Sequence, residues 1–307
     1  MPKWLKIYLS GALMGAADVV PGVSGGTVAF ILGVYDRLIA ALSGVNKNSV
    51  SMLFKGDFKG LWRHFDGTFL FTLGAGIVTS IFLIAGVITH LLAEYPIFVW
   101  SFFFGLILVS AIFLLQQIKG FAGRHLVALL VGIVIGASVS LLVPTRMEAS
   151  HLMVFLAGMI AICAMILPGI SGSFLLLIMG LYGYVLSAVK NLDLLIISIF
   201  ACGALIGLLS FSKLLNLMLK KAHAMTLSIL TGIMLGALVK VWPWKETLRW
   251  EQIGNNNLPV ESHLMMPWQL SNYHFTTDFL LPMVFILMGI LVVFCPRYIY
   301  LRNEDKR

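Results

Sequence analysis

Charged residues are scarce in this chain. Asp, Glu, Lys and Arg make up only 11% of its 307 residues, whereas 60% are hydrophobic and the mean hydropathy is +0.98. A soluble domain cannot hide that much apolar surface, so the solvent must be lipid. The composition therefore predicts one transmembrane domain rather than soluble domains.

Cysteine and histidine are also too sparse or too scattered to suggest a ligand set. The three cysteines, Cys163, Cys202 and Cys295, lie far apart inside apolar segments, which is typical neither of a disulfide framework nor of a metal site. The seven histidines have no ligand spacing. The net charge of +8 comes without a basic groove of interleaved aromatic residues. We expect no metal, no cofactor and no nucleic-acid partner.

Apolar runs of two kinds follow one another along the chain. Six plain runs are each close to the roughly 20 residues that a transmembrane helix needs: 68–92, 97–118, 125–143, 194–212, 224–241 and 279–295. Two further regions have shorter arms around a break, with 7–20 and 27–42 flanking "PGVSGG" and 152–167 and 174–189 flanking "PGISGS". Proline removes a backbone donor and glycine permits a tight turn, so each break predicts a helical hairpin.

The two broken regions are copies of one another. Pairing Pro21 with Pro168 gives eight identities in 22 positions, and each copy is followed by three plain runs. We therefore predict an all-α polytopic membrane protein with two repeats, residues 1–147 and 148–307. Each repeat has one hairpin, 7–42 or 152–189, and three transmembrane helices.

The distribution of Lys and Arg indicates how these segments are oriented. If the N-terminus is cytoplasmic and both hairpins are re-entrant, 16 of the 21 Lys and Arg lie inside and five outside. If both hairpins cross, the numbers are 10 and 11, and if only one crosses they are at best 14 and 7. The positive-inside rule favours two re-entrant hairpins with both termini inside. Three spans separate the hairpins, so the repeats are inverted, as in many secondary transporters.

The hairpin tips carry groups that suit an anion. After each Gly-x-Ser-Gly a new helix begins, and its first N–H groups lack helical partners and carry the positive end of the dipole. Two such ends predict a phosphate site between two helix breaks at Pro21 and Pro168. The predicted ligands are Gly22, Ser24, Gly25, Gly26, Thr27, Gly169, Ser171, Gly172 and Ser173. The alternative is that these residues only form the turn, with serine as a helix cap.

One tip also carries an acidic residue. Asp18 lies just before the first break, and its aligned partner in the second copy is Met165. Carboxylates inside a membrane are costly and often functional, so we predict that Asp18 couples transport to H⁺ or Na⁺. The alternative is that Asp18 accepts backbone hydrogen bonds and holds the turn. Arg37 and Lys190 are candidate headgroup contacts; the alternatives are an Asp36–Arg37 surface pair and a lysine that snorkels to the interface.

Two weaker patterns concern packing. Four glycine pairs have the small-xxx-small spacing of close helix contacts: Gly11/Gly15, Gly132/Gly136, Gly203/Gly207 and Gly232/Gly236. Four tryptophans, Trp242, Trp244, Trp250 and Trp268, fall in the polar segment 242–278, which we predict to be an outside loop with interfacial anchors.

Two stretches resemble a known family. "ADVVPGVSGGTVAFILGVYDRLI" and "LPGISGSFLLLIMGLYGYVL" are similar to the bacterial and archaeal membrane family once called domain of unknown function 368 and now assigned as polyprenyl-phosphate translocases. The resemblance covers nearly the whole chain in length and layout. It implies a transporter, not an enzyme, of the bacterial cytoplasmic (inner) membrane. Its implied substrate is undecaprenyl phosphate, the lipid carrier of cell-wall synthesis, which it returns from the outer to the inner leaflet.

The resemblance implies undecaprenyl phosphate and membrane lipids as partners, and the role predicted for Asp18 adds a coupling H⁺ or Na⁺. Inward movement of a negative charge opposes the membrane potential by ~2.3 kcal/mol per charge per 100 mV, so either consumption of the lipid inside or a travelling cation drives the flux. The oligomeric state stays open.

Three other functions are alternatives to this one. Undecaprenyl-diphosphate phosphatases have a similar Pro-Gly-x-Ser turn, but an Arg follows it and a glutamate pair precedes it; this chain has Gly25 there, and its first glutamate is Glu94. An intramembrane serine protease needs a histidine beside Ser24, and the histidines lie near span ends or in loops. A channel or small-anion secondary transporter of the same architecture is the third alternative.

Overall fold

A computed structural model of the chain describes residues 2–20, 23–118, 120–142, 149–253, 256–270 and 273–304. Within these ranges the elements are α1 Lys3–Asp18, α2 Gly25–Ile31, α3 Tyr35–Leu42, α4 Lys47–Phe54, α5 Phe58–His64, α6 Gly67–Glu94, α7 Pro96–Gln116, α8 Gly123–Leu141, α9 His151–Ile166, α10 Gly172–Ile178, α11 Tyr182–Lys190, α12 Leu194–Lys221, α13 His223–Ala237, β1 Lys245–Ile253, β2 Asn256–Leu264 and α14 Leu281–Glu304. The chain is therefore a mostly helical, polytopic membrane protein, as its composition predicts.

Five helices in the described residues are long and apolar enough to cross a membrane. They are α6, α7, α8, α12 and the segment Phe275–Phe294, in which a short π-helical turn leads into α14. The remaining predicted span, residues 224–241, corresponds to α13, which has 15 residues and ends at Ala237. That length is short of the roughly 20 residues of a full crossing.

Each hairpin has three helices rather than two. We predicted one continuous arm over 27–42 and another over 174–189, and this was wrong. The chain bends by 120° between α2 and α3 and by 111° between α10 and α11. Whether the hairpins re-enter or cross, and which side each faces, stay predictions.

A glycine makes each of these bends. Gly33 has φ +69° and Gly180 has φ +70°, a conformation that residues with a side chain rarely adopt. At the first bend the N–H of Val34 donates to the carbonyl of Ala29 at 3.0 Å, and the second bend has the equivalent bond. This is the Schellman arrangement that ends helices at a glycine, so the two copies share the same bend chemistry.

Contacts divide the chain into two compact units. The first unit is Met1–Ile88 with Pro144–Thr226, and the second is Thr89–Val143 with Leu227–Arg307. The first unit contains both hairpins, α4, α5, most of α6, and α12. The second contains α7, α8, the β-sheet and α14. Units group residues by contact whereas repeats group them by sequence, so the repeat division stays a prediction, and its boundary at 147/148 lies outside the described residues.

Helix packing in the first unit has the same form in both repeats. α1 packs on α6 and α9 packs on α12, each through glycines. A Cβ on Gly11 would overlap the carbonyl oxygen of Leu73, and one on Gly158 would overlap that of Phe200. The alignment of the repeats pairs Gly11 with Gly158, so the two contacts occupy equivalent places.

Close glycine contacts also hold the second unit together. α8 packs on α13 where Gly132 and Gly232 face one another, with each hypothetical Cβ overlapping the other helix's backbone. α7 packs on α14 in the same way through Gly105 and Gly289. All eight glycines of the four predicted pairs have backbone atoms of a neighbouring helix where a Cβ would stand, which confirms the packing prediction.

The polar segment 242–278 is more ordered than the predicted loop. β1 and β2 form an antiparallel hairpin within it. Trp244 is 3% exposed and its indole N–H donates to the carbonyl of Asp278 at 2.6 Å. The indole N–H of Trp242 donates to the carbonyl of Met265 at 2.9 Å. These two tryptophans therefore fix the hairpin segment in place, whereas Trp268 is exposed.

Candidate functional site

The two hairpin tips are the candidate site. The first tip is the connection between α1 and α2, residues 19–24, and the second tip is the connection between α9 and α10, residues 167–171. Pro21 and Gly22 lie outside the described residues. Pro168 is buried in the second tip, directly after the end of α9, as its predicted role in the helix break requires.

Side chains of the first tip cap the helix that follows it. The carboxylate of Asp18, the last residue of α1, accepts a hydrogen bond from the N–H of Gly25 at 2.7 Å. The hydroxyl of Ser24, the N-cap of α2, accepts one from the N–H of Gly26 at 3.1 Å. The first two N–H groups of α2 are thus occupied by acceptors from the protein itself.

Asp18 therefore makes the contact that the sequence left open as the alternative to coupling. Its carboxylate joins the end of α1 to the start of α2 across the break, and the residue is half-buried. Among the residues that the structure describes, no Lys, Arg or His forms an ion pair with it. A coupling role for Asp18 stays a prediction.

The second tip has a methionine where the first has this carboxylate. The Cγ of Met165 lies 2.6 Å from where a Cβ on Gly172 would stand, and the Oδ2 of Asp18 lies 2.5 Å from the corresponding point on Gly25. A methionine offers no strong acceptor. Within the described parts of the chain, the N–H groups of Gly172 and Ser173 have no hydrogen-bond acceptor.

The serines of the second tip bond to one another rather than to the helix. Ser171 is the N-cap of α10, but its side chain accepts no capping hydrogen bond. Its hydroxyl lies 2.9 Å from the hydroxyl of Ser173. Ser171 is buried and Ser173 is exposed, so the pair runs from the interior of the second tip to its surface.

Hydrogen bonds join the two tips directly. The hydroxyl of Thr27, fully buried near the start of α2, accepts the N–H of Gly169 at 2.9 Å. The hydroxyl of Ser24 donates to the carbonyl of Leu167 at 3.2 Å. The tips therefore meet inside the first compact unit, and the predicted site residues of both copies lie together.

Tyr35 is a further contact between the copies that the sequence did not identify. Its hydroxyl donates to the carbonyl of Ile166 at 3.0 Å, its side chain is 2% exposed, and its ring stacks on Phe30. Carbonyls at a helix C-terminus lack helical partners, so this hydroxyl and that of Ser24 satisfy the end of α9. The available signal was its identity with Tyr182 in the repeat alignment.

The two predicted headgroup contacts differ in their surroundings. Arg37 forms an ion pair with Asp66 at 2.6 Å and its guanidinium lies 4.3 Å from the centre of the Phe69 ring. The predicted pairing of Arg37 with Asp36 was wrong, and the pair instead ties α3 to the start of α6. Lys190 is exposed in the last turn of α11 and forms no ion pair with a described residue.

Comparison with known proteins decides the family. A model of the undecaprenyl phosphate translocase-like family matches residues 14–257, which include both tips. The chain belongs to this family. The polyprenyl-phosphate transporter of Vibrio cholerae serotype O1 is 45% identical over 297 residues, 95% of each chain. The polyprenyl-phosphate transporter of Staphylococcus aureus is 33% identical over 259 residues, 78% of this chain and 87% of the relative. No solved structure matches the chain.

Membership confirms the resemblance and removes two alternatives. The family is one of transporters, so the chain is a membrane transporter and neither a phosphatase nor a protease. The local geometry agrees, because the hydroxyl of Ser24 contacts only backbone groups among the described residues. Among the described residues, no group of three His, Cys, Asp or Glu side chains could hold a metal ion.

Proposed function

We propose that this protein carries polyprenyl phosphate across the bacterial cytoplasmic membrane, returning undecaprenyl phosphate from the outer to the inner leaflet. The family and the names of both relatives support a lipid phosphate as the substrate. The observation that carries the site is the meeting of the two tips, where Gly169 bonds to Thr27 and Ser24 bonds to Leu167. Both copies of the motif thereby contribute to one place.

The second tip supplies the donors for the phosphate. The N–H groups of Gly172 and Ser173 have no acceptor within the described residues, and the hydroxyls of Ser171 and Ser173 can turn from one another towards a ligand. Phosphate oxygens accept such hydrogen bonds readily. No described carboxylate accepts a hydrogen bond from these groups.

In the first tip, binding depends on the state of Asp18. Ionised Asp18 holds the N–H of Gly25 and repels a phosphate by its charge. Binding of H⁺ or Na⁺ to the carboxylate cancels that charge and weakens its hold on Gly25. The N–H of Gly25 then becomes available to the phosphate, whereas the N–H of Gly26 stays with Ser24, so cation and lipid bind together.

This arrangement lowers the electrical work of moving the lipid phosphate inward. Moving one negative charge inward opposes an inside-negative potential by ~2.3 kcal/mol per 100 mV. A cation that travels on Asp18 with the phosphate cancels one charge. Coupling at the tip would thus allow the lipid to move inward at potentials that oppose the uncoupled anion.

Reconstitution tests this function. Undecaprenyl phosphate is placed in one leaflet of proteoliposomes and its appearance in the other is followed. We expect the wild-type protein to move the lipid and the Ser171→Ala/Ser173→Ala variant to lose most of the rate. Ser210→Ala is the matched control, because that hydroxyl donates only to carbonyls of its own helix.

The same vesicles distinguish transport of the lipid from transport of small anions. We expect an excess of inorganic phosphate neither to cross at a comparable rate nor to compete with the lipid. If soluble phosphate crosses as fast as the lipid moves, the protein is a small-anion transporter and the proposal is wrong.

A further inference from the structure

An apolar groove lies between α4, α5 and the first turns of α6. Its volume is about 750 Å³. Phe58, Leu61, Trp62 and Phe65 are spaced as one face of α5 and its C-terminal cap. Leu53 comes from α4 and Phe71 from α6.

The helices that form the groove are well defined by their caps. Asn46 and Ser49 form a reciprocal capping box at the start of α4. Gly56, with φ +70°, ends that helix, and the carboxylate of Asp57 then accepts the N–H of Gly60 at 2.8 Å to start α5. The pair is thus a built helical hairpin and not an irregular loop.

The apolar face of this helical hairpin is left largely uncovered by the residues that the structure describes. Phe58 is 70% exposed, Leu53 56% and Trp62 50%, and the neighbouring Phe54 is 86% exposed. Large aromatic side chains grouped in this way on a short amphipathic helix are typical of a membrane interface.

The length of α6 locates the groove relative to the bilayer. α6 has 28 residues, so it is about 42 Å long, whereas the hydrocarbon core is about 30 Å thick. Its ends must therefore extend into the headgroup region. Leu70 and Phe71, in its first two turns, line the groove, which places the groove at the surface of the membrane.

The charges around the groove are almost all positive. Lys47, Lys55, Lys59 and Arg63 are exposed on α4, α5 and the turn between them. Two acids lie beside them: Asp57 caps α5, and Asp66, between the lining residues Phe65 and Gly67, pairs with Arg37. Lys59 and Arg63 follow Phe58 and Trp62 directly in sequence, so cations alternate with the exposed rings.

We propose that α4 and α5 lie in the membrane surface and that the groove holds a hydrocarbon chain of an anionic phospholipid, whose phosphate these cations bind. The apolar face supplies the hydrophobic contact and the basic residues supply the preference for negative headgroups. The assignment concerns a structural lipid and does not depend on the transported substrate.

Quenching by brominated lipids tests the proposal, because Trp62 lines the groove. The protein is reconstituted in nanodiscs of unlabelled phosphatidylcholine with a small fraction of chain-brominated phosphatidylglycerol or chain-brominated phosphatidylcholine. The Trp62 contribution is the quenching in the wild type minus that in Trp62→Phe. We expect the brominated phosphatidylglycerol to quench this contribution at several-fold lower mole fraction than the brominated phosphatidylcholine.

Removing the cations must remove the preference. In Lys55→Gln/Lys59→Gln/Arg63→Gln we expect the several-fold preference for brominated phosphatidylglycerol to be lost, because these basic residues supply the attraction to the anionic headgroup. Lys213→Gln/Lys220→Gln/Lys221→Gln removes three exposed cations of α12 and serves as the matched control, with no expected effect on Trp62.

Three results would overturn the proposal. The first is equal quenching of Trp62 by the two brominated lipids. The second is a preference that the α4–α5 variant retains. The third is displacement of brominated phosphatidylglycerol by an equimolar amount of undecaprenyl phosphate, because the groove would then belong to the transported lipid.

Discussion

The first and second tips share a backbone plan and differ in the side chain that covers the start of the following helix. Both enter from a 16-residue helix, pass a Pro-Gly-x-Ser-Gly sequence and continue into a seven-residue helix that ends at a glycine bend. In the first tip Asp18 covers Gly25 and takes its N–H. In the second tip Met165 covers Gly172 and leaves its N–H without a described acceptor.

This difference shows how a duplicated unit can divide its work. Duplication gives two equivalent turns with equivalent donors. One differing residue, Asp18 against Met165, decides whether a carboxylate takes the first N–H of the helix that follows the turn. The shared parts, such as the bends at Gly33 and Gly180, then form the scaffold, and we propose that the unshared residue at 18 and 165 sets the role of each tip.

Making the tips equal in charge has the largest expected effect on lipid binding. In Met165→Asp a carboxylate would lie over Gly172, as Asp18 lies over Gly25. Two unit charges about 4 Å apart near a protein surface repel by about 4 kcal/mol, and the partial exposure of residue 165 reduces this. We expect affinity for undecaprenyl phosphate to fall by roughly 100-fold, a change of about 2.7 kcal/mol.

Binding to the purified protein in nanodiscs measures this change, with Met165→Leu as the control that keeps the volume and adds no charge. Unchanged binding in Met165→Asp would mean that the phosphate does not approach the second tip.

An added methyl group is expected to affect the two tips differently, because different atoms lie where it would stand. In Gly172→Ala the new Cβ overlaps the backbone carbonyl of Ala161, which cannot move alone, whereas in Gly25→Ala it meets the Asp18 side chain, which can rotate away. We expect destabilisation of about 3 kcal/mol for Gly172→Ala and below about 1 kcal/mol for Gly25→Ala. Thermal unfolding in detergent compares them; equal losses would show that Asp18 is held as rigidly as backbone.

The hydrogen bond between Gly169 and Thr27 depends on the hydroxyl of Thr27. Thr27→Val keeps the shape of the side chain but leaves the buried N–H of Gly169 without its acceptor, which costs about 1–3 kcal/mol. Thr27→Ser retains the hydroxyl and should cost less. The free energies of unfolding of the two variants check this, and the prediction fails if Ser is as destabilising as Val.

The smallest expected effect concerns the paired tyrosines. Tyr35→Phe removes the hydrogen bond to Ile166 and should cost about 1 kcal/mol. Tyr182→Phe is the matched change in the second copy, where the hydroxyl has no hydrogen-bond partner among the described residues, so we expect no loss. Unfolding measurements that give the same result for both would contradict the unequal contacts of the two copies.

The sequence was sufficient for the parts of this structure that depend on composition and glycine spacing. Runs of apolar residues located five of the six predicted spans, and four glycine pairs located helix contacts, because close backbone approach needs a residue without a side chain. The two motifs located the tips, because proline removes a backbone donor and glycine permits a tight turn. The identical glycines at 33 and 180 were visible as well, but uniformly apolar arms have no periodicity that would reveal a bend within them.

Contacts between residues that are distant along the chain could not be predicted from the sequence. Asp18 and Gly25 lie on opposite sides of a break, so the sequence allowed both a capping role and a coupling role for the carboxylate. The partner of Arg37 is Asp66, from a different helix, and not its neighbour Asp36. Tyr35 is identical with Tyr182 in the aligned copies, but its hydrogen bond to the end of α9 depends on the fold.

The most direct test of the divided roles is transport by Asp18→Asn under an imposed membrane potential and proton or sodium gradient. Asparagine can still accept the N–H of Gly25, so the turn is retained while the charge is lost. Asp193→Asn is the matched control, because that carboxylate caps α12 by accepting the N–H of Ile196.

We expect Asp18→Asn to move undecaprenyl phosphate down its own gradient but to lose the stimulation by the cation gradient, whereas the wild type and Asp193→Asn keep it. If Asp18→Asn responds to the potential and to both cation gradients as the wild type does, Asp18 only holds the turn, and the division of roles between the tips is wrong.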